Sequence, residues 1–174
     1  AIAKQAKSLS DVAESSWGVS PADLPRFGAC FWELKTMATP WVPWLGTVDA
    51  TTPYGGREML LRKDAALNAA VEAGSAYLSA MGTLPASIYT GEAFDANVAV
   101  IVPRDQENIE ALWAYAASGE LATAARALDQ AIKVTSATFT KIGFDLAEWK
   151  EKAAELPVPK SSEPTQWLFT GHPL

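Results

Sequence analysis

Few side chains in this sequence could carry out covalent chemistry. Its only cysteine is Cys30 and its only histidine is His172, whereas a serine or cysteine nucleophile needs a histidine base. His172 lies in a proline-bounded segment where we expect it to be solvated, and Cys30, between Ala29 and Phe31, is typical of a small core side chain. The sequence therefore argues against nucleophilic catalysis and against a Cys/His zinc cluster within one chain.

Acids and glycines offer no alternative chemistry. Glu92 with Asp95, and Glu107 with Glu110, have spacings that surface carboxylates adopt freely. The pair Gly55–Gly56 lacks the spacing of a phosphate-binding loop, and no lysine-serine or lysine-threonine step follows it. We therefore expect no catalytic, cofactor or metal site in this chain.

Aromatic side chains are a more informative feature. The chain has seven tryptophans in 174 residues, and Trp41, Trp44 and Tyr54 lie in segments rich in proline and glycine that predict loops. Loop aromatics stack on exposed bases, form protein interfaces or pack on the core, and packing is the most common of these uses. All three uses stay open.

Composition and charge limit the class of protein. Hydrophobic residues make up 49% and charged residues 20% of the chain, and no run approaches the roughly 18 apolar residues of a membrane span. We expect one globular domain without membrane attachment, in the cytoplasm by default because no secretory signal is recognisable. The formal net charge of -6 opposes general attraction to a polyanion, although a local basic stripe can coexist with acidic helices.

Short elements are expected to position the residues of the N-terminal half. Proline cannot donate to a sheet ladder, so Pro40 and Pro43 favour irregular structure around them. The spacing of apolar, turn and alanine residues predicts a helix over 8–17, a strand over 27–37, an irregular aromatic loop over 39–46, a turn over 51–56, a strand over 57–62 and a helix over 64–73.

The C-terminal half has clearer periodicity and indicates the fold class. The patterns predict strands over 87–90, 97–102 and 134–142, helices over 108–118 and 120–132, and a helix over 145–155 that Asp145 and Glu148 begin as a capping box. Beyond residue 156 we expect a proline-rich tail anchored by Trp167, Leu168 and Phe169. The predicted class is α+β, with a small mixed or antiparallel sheet, supporting helices and no internal repeats.

Seven segments share their order with one known family. The most specific begins Pro164-Thr165-Gln166-Trp167. The segments are residues 82–95, 99–103, 112–115, 128–130, 134–138, 144–149 and 164–173. From about Leu84 to Pro173 the chain resembles the C-terminal part of Eco57I-like DNA adenine methyltransferases of the type IIG restriction-modification group. The resemblance implies a target-recognition domain that reads double-stranded DNA.

The same resemblance assigns catalysis to a different domain. In that family a methyltransferase domain with an Asn-Pro-Pro-Tyr type motif precedes the recognition domain. This chain has neither that motif, which holds the flipped adenine, nor a glycine-rich S-adenosylmethionine loop. The resemblance therefore implies that S-adenosylmethionine and methyl transfer belong to a catalytic domain in the same or another chain, and that this chain binds no cofactor.

A second resemblance concerns the segment after the two helices. Two helices followed by a strand are similar to the recognition domains of type I specificity subunits, whose sheet loops enter the major groove. By that resemblance the edge 133–141 faces DNA, and an ordinary amphipathic strand explains the pattern equally well. The residues expected to contact phosphates there are Lys133, Thr135, Ser136, Thr138 and Lys141.

Base readout is expected within residues 1–80, which the family resemblance does not cover. Arg57 follows the flexible pair Gly55–Gly56 and can offer its guanidinium to guanine O6 and N7. Tyr54, Arg62 and Lys63 are further candidates for DNA contact. The alternative for Arg57 is an ion pair with Glu58 or another neighbouring acid.

Three regions and competing functions follow from these patterns. We expect a variable region over 1–80, an α+β recognition core over 81–156 and a tail over 157–174. A DNA-specificity module predicts a basic groove lined by Arg57, Arg62, Lys133 and Lys141. The alternative is a docking module, in which the tryptophan loop and the tail bind a methyltransferase or a second copy. An independent small-molecule enzyme needs a pocket of convergent titratable groups, for which the sequence has no motif.

Overall fold

The fold combines two sheets with a layer of helices. The computed structural model describes residues 8–20, 23–35, 40–63 and 75–158. Within these ranges the strands are β1 (Ala13–Trp17), β2 (Gly28–Cys30), β3 (Trp41–Leu45), β4 (Met59–Arg62), β5 (Ser75–Ser79), β6 (Ala86–Tyr89), β7 (Ala93–Phe94) and β8 (Val98–Pro103). The helices are α1 (Leu24–Phe27), α2 (Ile109–Ala117), α3 (Glu120–Leu128), α4 (Ser136–Thr140) and α5 (Leu146–Lys152). No helix in these ranges is both long and apolar enough to cross a bilayer.

The first sheet has the strand order β1-β8-β5-β6 and is antiparallel throughout. Its interior strand β8 is apolar and buried on both faces. Ala99 and Ile101 join the core beneath the helices, whereas Val98 and Val100 pack with Phe94 in a second core. The two-residue period of a strand therefore divides β8 between two cores.

The second sheet has the order β2-β4-β3-β7, in which only the pair β3 and β7 is parallel. Trp44 and Leu61 pack with Ala93 in its own core. Leu45, the next residue of β3, points to the opposite face and packs with Phe94 in the core shared with the first sheet. Trp44 therefore packs within the second sheet, and Leu45 joins that sheet to the first through their shared core.

A close backbone crossing also joins the two sheets. After β1 the N–H of Val19 donates to the carbonyl of Phe94 over 2.8 Å. A Cβ placed on Gly18 would lie 2.2 Å from the carbonyl oxygens of both Phe94 and Asp95. Only glycine permits this approach of two backbones.

Two predicted helix boundaries are observed, the break between α2 and α3 and the start of α5. Gly119, with φ 81°, separates α2 from α3. The carboxylate of Asp145 accepts hydrogen bonds from the backbone N–H groups of Ala147 and Glu148 at 3.0 and 3.2 Å, which confirms the predicted N-cap of α5.

Helix α5 is fixed on α2 by aromatic contacts. The Tyr115 ring lies 5.3 Å from the ring centre of Phe144 and 4.7 Å from that of Trp149. Burial, followed by the charges of Glu120 and Glu148, raises the pKa of Tyr115 to about 12. Tyr115 is therefore a neutral core residue at any physiological pH.

The α+β class and several elements are confirmed. The strands predicted over 57–62, 87–90 and 97–102 correspond to β4, β6 and β8, and the helices over 108–118 and 120–132 correspond to α2 and α3. The strand predicted over 27–37 is shorter, since β2 covers Gly28–Cys30 and a 3-10 turn follows at Phe31–Glu33.

The helix predicted over 8–17 is wrong. A 3-10 turn at Leu9–Asp11 leads instead into β1. Every residue of β1, from Ala13 to Trp17, has a partner residue in β8. Sheet pairing here outweighs a weak local preference for helix.

The irregular loop predicted over 39–46 is also wrong, because Trp41–Leu45 form β3. Proline is tolerated there for a local reason. β7 pairs with β3 only at Trp44 and Leu45, so among the described residues no strand lies beside Pro43 on that side, and Pro43 is exposed. The first half of β3 is therefore an edge, where the missing N–H costs little.

The strand predicted over 134–142 is replaced by a helix. Residues Ser136–Thr140 form α4, and Val134, Phe139 and Ile142 are all buried. In a strand, residues five apart point to opposite faces, so burial of both Val134 and Phe139 does not fit a strand with one exposed face.

Two predictions fall outside the described residues, namely the helix over 64–73 and the tail anchor of Trp167, Leu168 and Phe169. His172 lies outside them as well. Both sheets draw strands from residues 1–80 and from residues 81–156. These two regions therefore share their cores.

Candidate nucleic-acid interface

Arg57, the leading candidate for base reading, forms an ion pair inside the protein. Its Nε lies 2.7 Å from Oε1 of Glu92, and the two side chains are only 11% and 10% exposed. Its Nη2 donates to the carbonyl of Ile88 at 2.7 Å and to the hydroxyl of Thr90 at 3.1 Å. Arg57 thereby ties the segment before β4 to the end of β6.

The surroundings of Arg57 favour the charged form of its partner. Burial opposes ionisation of Glu92, but the Arg57 guanidinium and the Thr90 hydroxyl outweigh it, so the pKa of Glu92 lies below its ordinary value. The guanidinium lies 5.0 Å from the ring centre of Tyr54. The predicted alternative, an ion pair with a neighbouring acid, is therefore observed, although the acid is Glu92 and not Glu58.

Lys133 contacts the end of β1 and the turn before β8. Its Nζ donates to the carbonyl of Ala96 at 2.8 Å and lies 4.8 Å from the ring centre of Trp17. Trp17 is the last residue of β1. Lys141 is exposed and precedes Ile142, whose carbonyl accepts the N–H of Leu9 before the start of β1. The two lysines therefore lie at opposite ends of β1.

The hydroxyls between these lysines bond to one another. Thr135 and Thr138 lie 3.0 Å apart through their hydroxyl oxygens, and the Thr138 hydroxyl donates to the carboxylate of Asp129 over 3.0 Å. Ser136 is the first residue of α4 and is half-buried. The predicted strand edge is thus a turn followed by helix α4, and DNA contact by its residues stays a prediction.

Three positively charged residues lie at one end of the second sheet. Arg62 ends β4 opposite Trp41, and Lys63 follows it. On the other side of β4, Gly28 pairs with Leu61, so α1, which carries Arg26, ends beside Arg62. Neighbouring strands are about 4.8 Å apart. Arg26, Arg62 and Lys63 are all exposed, and we call this group the basic end.

Sequence reasoning identified Arg62 and Lys63 but missed Arg26. The available signal was local: Asp23 caps α1 by accepting the N–H of Arg26, and Pro25 occupies its first turn. That signal predicts a helix start but not its neighbours. The proximity of Arg26 to Arg62 depends on the pairing of β2 with β4, which are about thirty residues apart in the chain.

The opposite end of the second sheet is acidic. Burial, and then the charges of Glu33 and Glu58, raise the pKa of the Cys30 thiol at the end of β2. A cavity of about 290 Å³ opens beside Glu58 and is lined also by Asp49 and the hydroxyl-bearing Thr47 and Thr52. Glu33, Asp49 and Glu58 form what we call the acidic end, which would repel phosphate groups.

The four residues of the predicted basic groove do not come together. Arg57 is buried at the joint between the sheets, Arg62 belongs to the basic end, and Lys133 and Lys141 flank β1. Within the described ranges, no group of three or more His, Cys, Asp or Glu side chains is arranged to hold a metal ion.

The tryptophan loop expected to dock a partner is instead part of the sheet. Trp44 is 1% exposed and belongs to the core, and Trp41 is half-buried in β3. Large exposed apolar side chains occur elsewhere, at Met81, Leu128 and Ile132, which are 38%, 59% and 81% exposed. Docking through such a surface stays a prediction.

Comparison with solved structures shows which fold this is. A chain from a structure on complex assembly and conformational transition of the type I R-M system is similar, with a TM-score of 0.60 and 14% identity over 95% of this chain and 39% of that one. The HsdS subunit from Thermoanaerobacter tengcongensis gives a TM-score of 0.58 and 15% identity, over 97% and 39% of the two chains. No protein-family model and no curated protein matches the sequence. This chain therefore has the fold of a segment that spans 39% of each of these structures.

Proposed function

We propose that this chain is a DNA target-recognition module of a restriction-modification system. The observation that carries the proposal is the basic end, because strand pairing gathers Arg26, Arg62 and Lys63 on a protein whose net charge is -6. Local concentration of positive charge is what contact with the phosphate backbone requires. The likeness in fold to the HsdS subunit supports the same function.

The two ends of the second sheet would orient the chain on DNA. Phosphates attract the basic end and repel the acidic end formed by Glu33, Asp49 and Glu58. The sheet would therefore approach the duplex with the end of β4 and the start of β3 leading. In this orientation the protein can bind DNA despite its negative net charge, because only the basic end of the sheet meets the polyanion.

We further propose that a separate catalytic domain carries out methyl transfer. The catalytic methyltransferase domain, in the same or another chain, would bind S-adenosylmethionine and the flipped adenine, while this module binds the duplex and no cofactor. The resemblance to the Eco57I-like type IIG group supports an adenine-specific parent enzyme, and the fold likeness is to a type I system. A cytoplasmic location fits either system.

Binding to a labelled random-sequence duplex, followed by fluorescence anisotropy at 50 and 200 mM salt, tests the proposal. Phosphate contacts by Arg26 and Lys63 give a slope of about -1.8 in log affinity against log salt, so a fourfold rise in salt should weaken binding roughly 12-fold. The double variant Arg26→Ala with Lys63→Ala should bind more weakly at 50 mM salt and lose most of that slope.

A matched control uses an exposed lysine far from the second sheet. Lys150 lies on α5 and is exposed, so Lys150→Ala should leave both affinity and salt slope unchanged. Absence of wild-type binding at 50 mM salt, or equal losses in the double variant and the control, would rule out DNA contact through the basic end.

A further inference from the structure

We propose that Arg62 reads a guanine base, while Arg26 and Lys63 contact the phosphates beside it. This inference rests on the proposed DNA-binding function and assigns separate tasks to the three residues of the basic end. It also moves base reading from Arg57, where the sequence placed it, to the other end of β4.

The backbone of Arg62 is held more firmly than that of its two neighbours. β4 lies inside the sheet between β2 and β3, and Arg62 is paired with Trp41. Arg26 belongs to a helix of four residues, and Lys63 lies in the turn after the strand. Reading a base needs a side chain placed to within about half an ångström, which strands provide better than turns.

Strand pairing also places Arg62 at the exposed end of one face of the sheet. Residues directly opposite in an antiparallel pair share a face, so Arg62 lies on the same face as Trp41 and, two residues along β3, Pro43. Arg62 and Pro43 are exposed and Trp41 is half-buried. Farther along this face Leu45 and Leu60 are buried, and the other face buries Trp44 and Leu61. The Arg62 end of the face can therefore meet a groove while the rest of the face stays packed in the core.

The chemistry of the three cations separates their tasks. A guanidinium fork donates two hydrogen bonds to guanine O6 and N7, whereas the lysine ammonium is a point charge suited to phosphate. The Arg26 guanidinium lies 5.2 Å from the ring centre of Phe27, which turns it toward its own helix. Arg57 cannot substitute, because its side chain is only 11% exposed and lies inside the protein.

Selection from a random duplex library separates base reading from phosphate contact. The wild-type protein and the variants Arg62→Lys, Arg26→Ala, Lys63→Ala and, as a control, Lys150→Ala are each used to select bound duplexes, whose sequences are then compared. Arg62→Lys keeps the charge and removes only the fork, and its thermal midpoint should stay at the wild-type value.

We expect Arg62→Lys to keep the wild-type salt slope but to lose roughly tenfold preference for guanine at one selected position. Arg26→Ala and Lys63→Ala should each reduce the slope by about 0.9 and select the same sequence as the wild-type protein. Lys150→Ala should change neither.

Two outcomes would overturn the assignment and differ from failure of the proposed function. Selection of an unchanged sequence by Arg62→Lys, while the wild-type protein binds with a steep salt slope, makes Arg62 a phosphate contact. Loss of guanine preference in Lys63→Ala instead moves base reading to Lys63. If the wild-type protein binds no duplex at low salt, the DNA-binding function itself fails and this inference fails with it.

Discussion

The pairing of Arg57 with Glu92 makes two residues distant in sequence depend on one another. Glu92 accepts Nε of Arg57 and also the backbone N–H of Thr90 at 3.0 Å. Arg57 has one further nitrogen, Nη1, buried without a partner among the described residues. A buried pair of this kind adds little net stability over an apolar pair, but loss of one partner is costly because the other charge stays buried.

Glu92→Gln should lower the free energy of unfolding by about 3 kcal/mol at pH 7. The folded-state pKa of Glu92 is below the ordinary value of 4.5, so the stabilisation is present above that value and is lost as pH falls through the folded pKa. Urea unfolding at pH 7 and at pH 3 measures both effects. The wild-type protein should lose more stability between these pH values than the variant.

An exposed ion pair gives the control for this prediction. Arg104 and Glu14 lie 2.9 Å apart and are 54% and 66% exposed, so Glu14→Gln should cost less than about 0.5 kcal/mol. Similar losses in the two variants would contradict a special role for burial of the Arg57 pair.

For single residues, the sequence predicted which ones form contacts more reliably than it predicted their contact partners. It named Arg57 and foresaw an ion pair, but it offered Glu58, the adjacent acid, because sequence distance is all that a single chain reveals. Glu92 is brought to Arg57 by tertiary contact between the start of β4 and the end of β6. No local pattern encodes that contact.

The two sheets are joined where the backbone after β1 passes close to the backbone at the end of β7. Gly18→Ala should lower the free energy of unfolding by about 3 kcal/mol, because its Cβ would lie 2.2 Å from the carbonyl oxygens of Phe94 and Asp95, which are backbone atoms that cannot rotate away. Chemical denaturation measures the change.

Gly46→Ala provides the matched comparison, since a Cβ there would meet no atom of the described residues within 4 Å. Its stability should stay within about 0.5 kcal/mol of the wild-type value. If Gly18→Ala is equally neutral, the two backbones are not held as close as the structure shows.

Element prediction succeeded where local and tertiary preferences agree. Helices α2 and α3 have apolar spacing and a glycine between them, and β8 is a continuous apolar run, so their types were predictable. The strand prediction for residues 134–142 failed because threonine and aliphatic side chains suit a strand, whereas Val134 and Phe139 are both buried in one core, which a strand with one exposed face does not allow. The loop predicted in place of β3 was wrong because proline is tolerated at an edge, and the edge position of Pro43 depends on how short β7 is.

For the whole molecule, the separation of charge along the second sheet should govern the speed of association with DNA. Replacing Glu33 by Gln and Asp49 by Asn removes two negative charges, which changes the net charge from -6 to -4. We expect the association rate with a random duplex to rise about twofold at 50 mM salt and the gain to disappear at 200 mM salt, because screening shortens the reach of these charges.

Stopped-flow measurement of the association rate tests this effect of charge. The dissociation rate should not change, because the acidic end does not touch the duplex in the proposed orientation. A slower dissociation in the double variant would show that the acidic end lies within the interface.

The order of the strands along the chain has a consequence for how such a protein can evolve. β2, β3 and β4 all lie between β1 and β5, so one continuous stretch of gene encodes them, together with Arg26, Arg62 and Lys63. Recombination that replaces this stretch would exchange the surface that we propose meets DNA, while the first sheet and helices α2 to α5 are inherited unchanged. New recognition could thus arise in one genetic step, provided that the incoming stretch retains a residue like Leu45 to seat against Phe94.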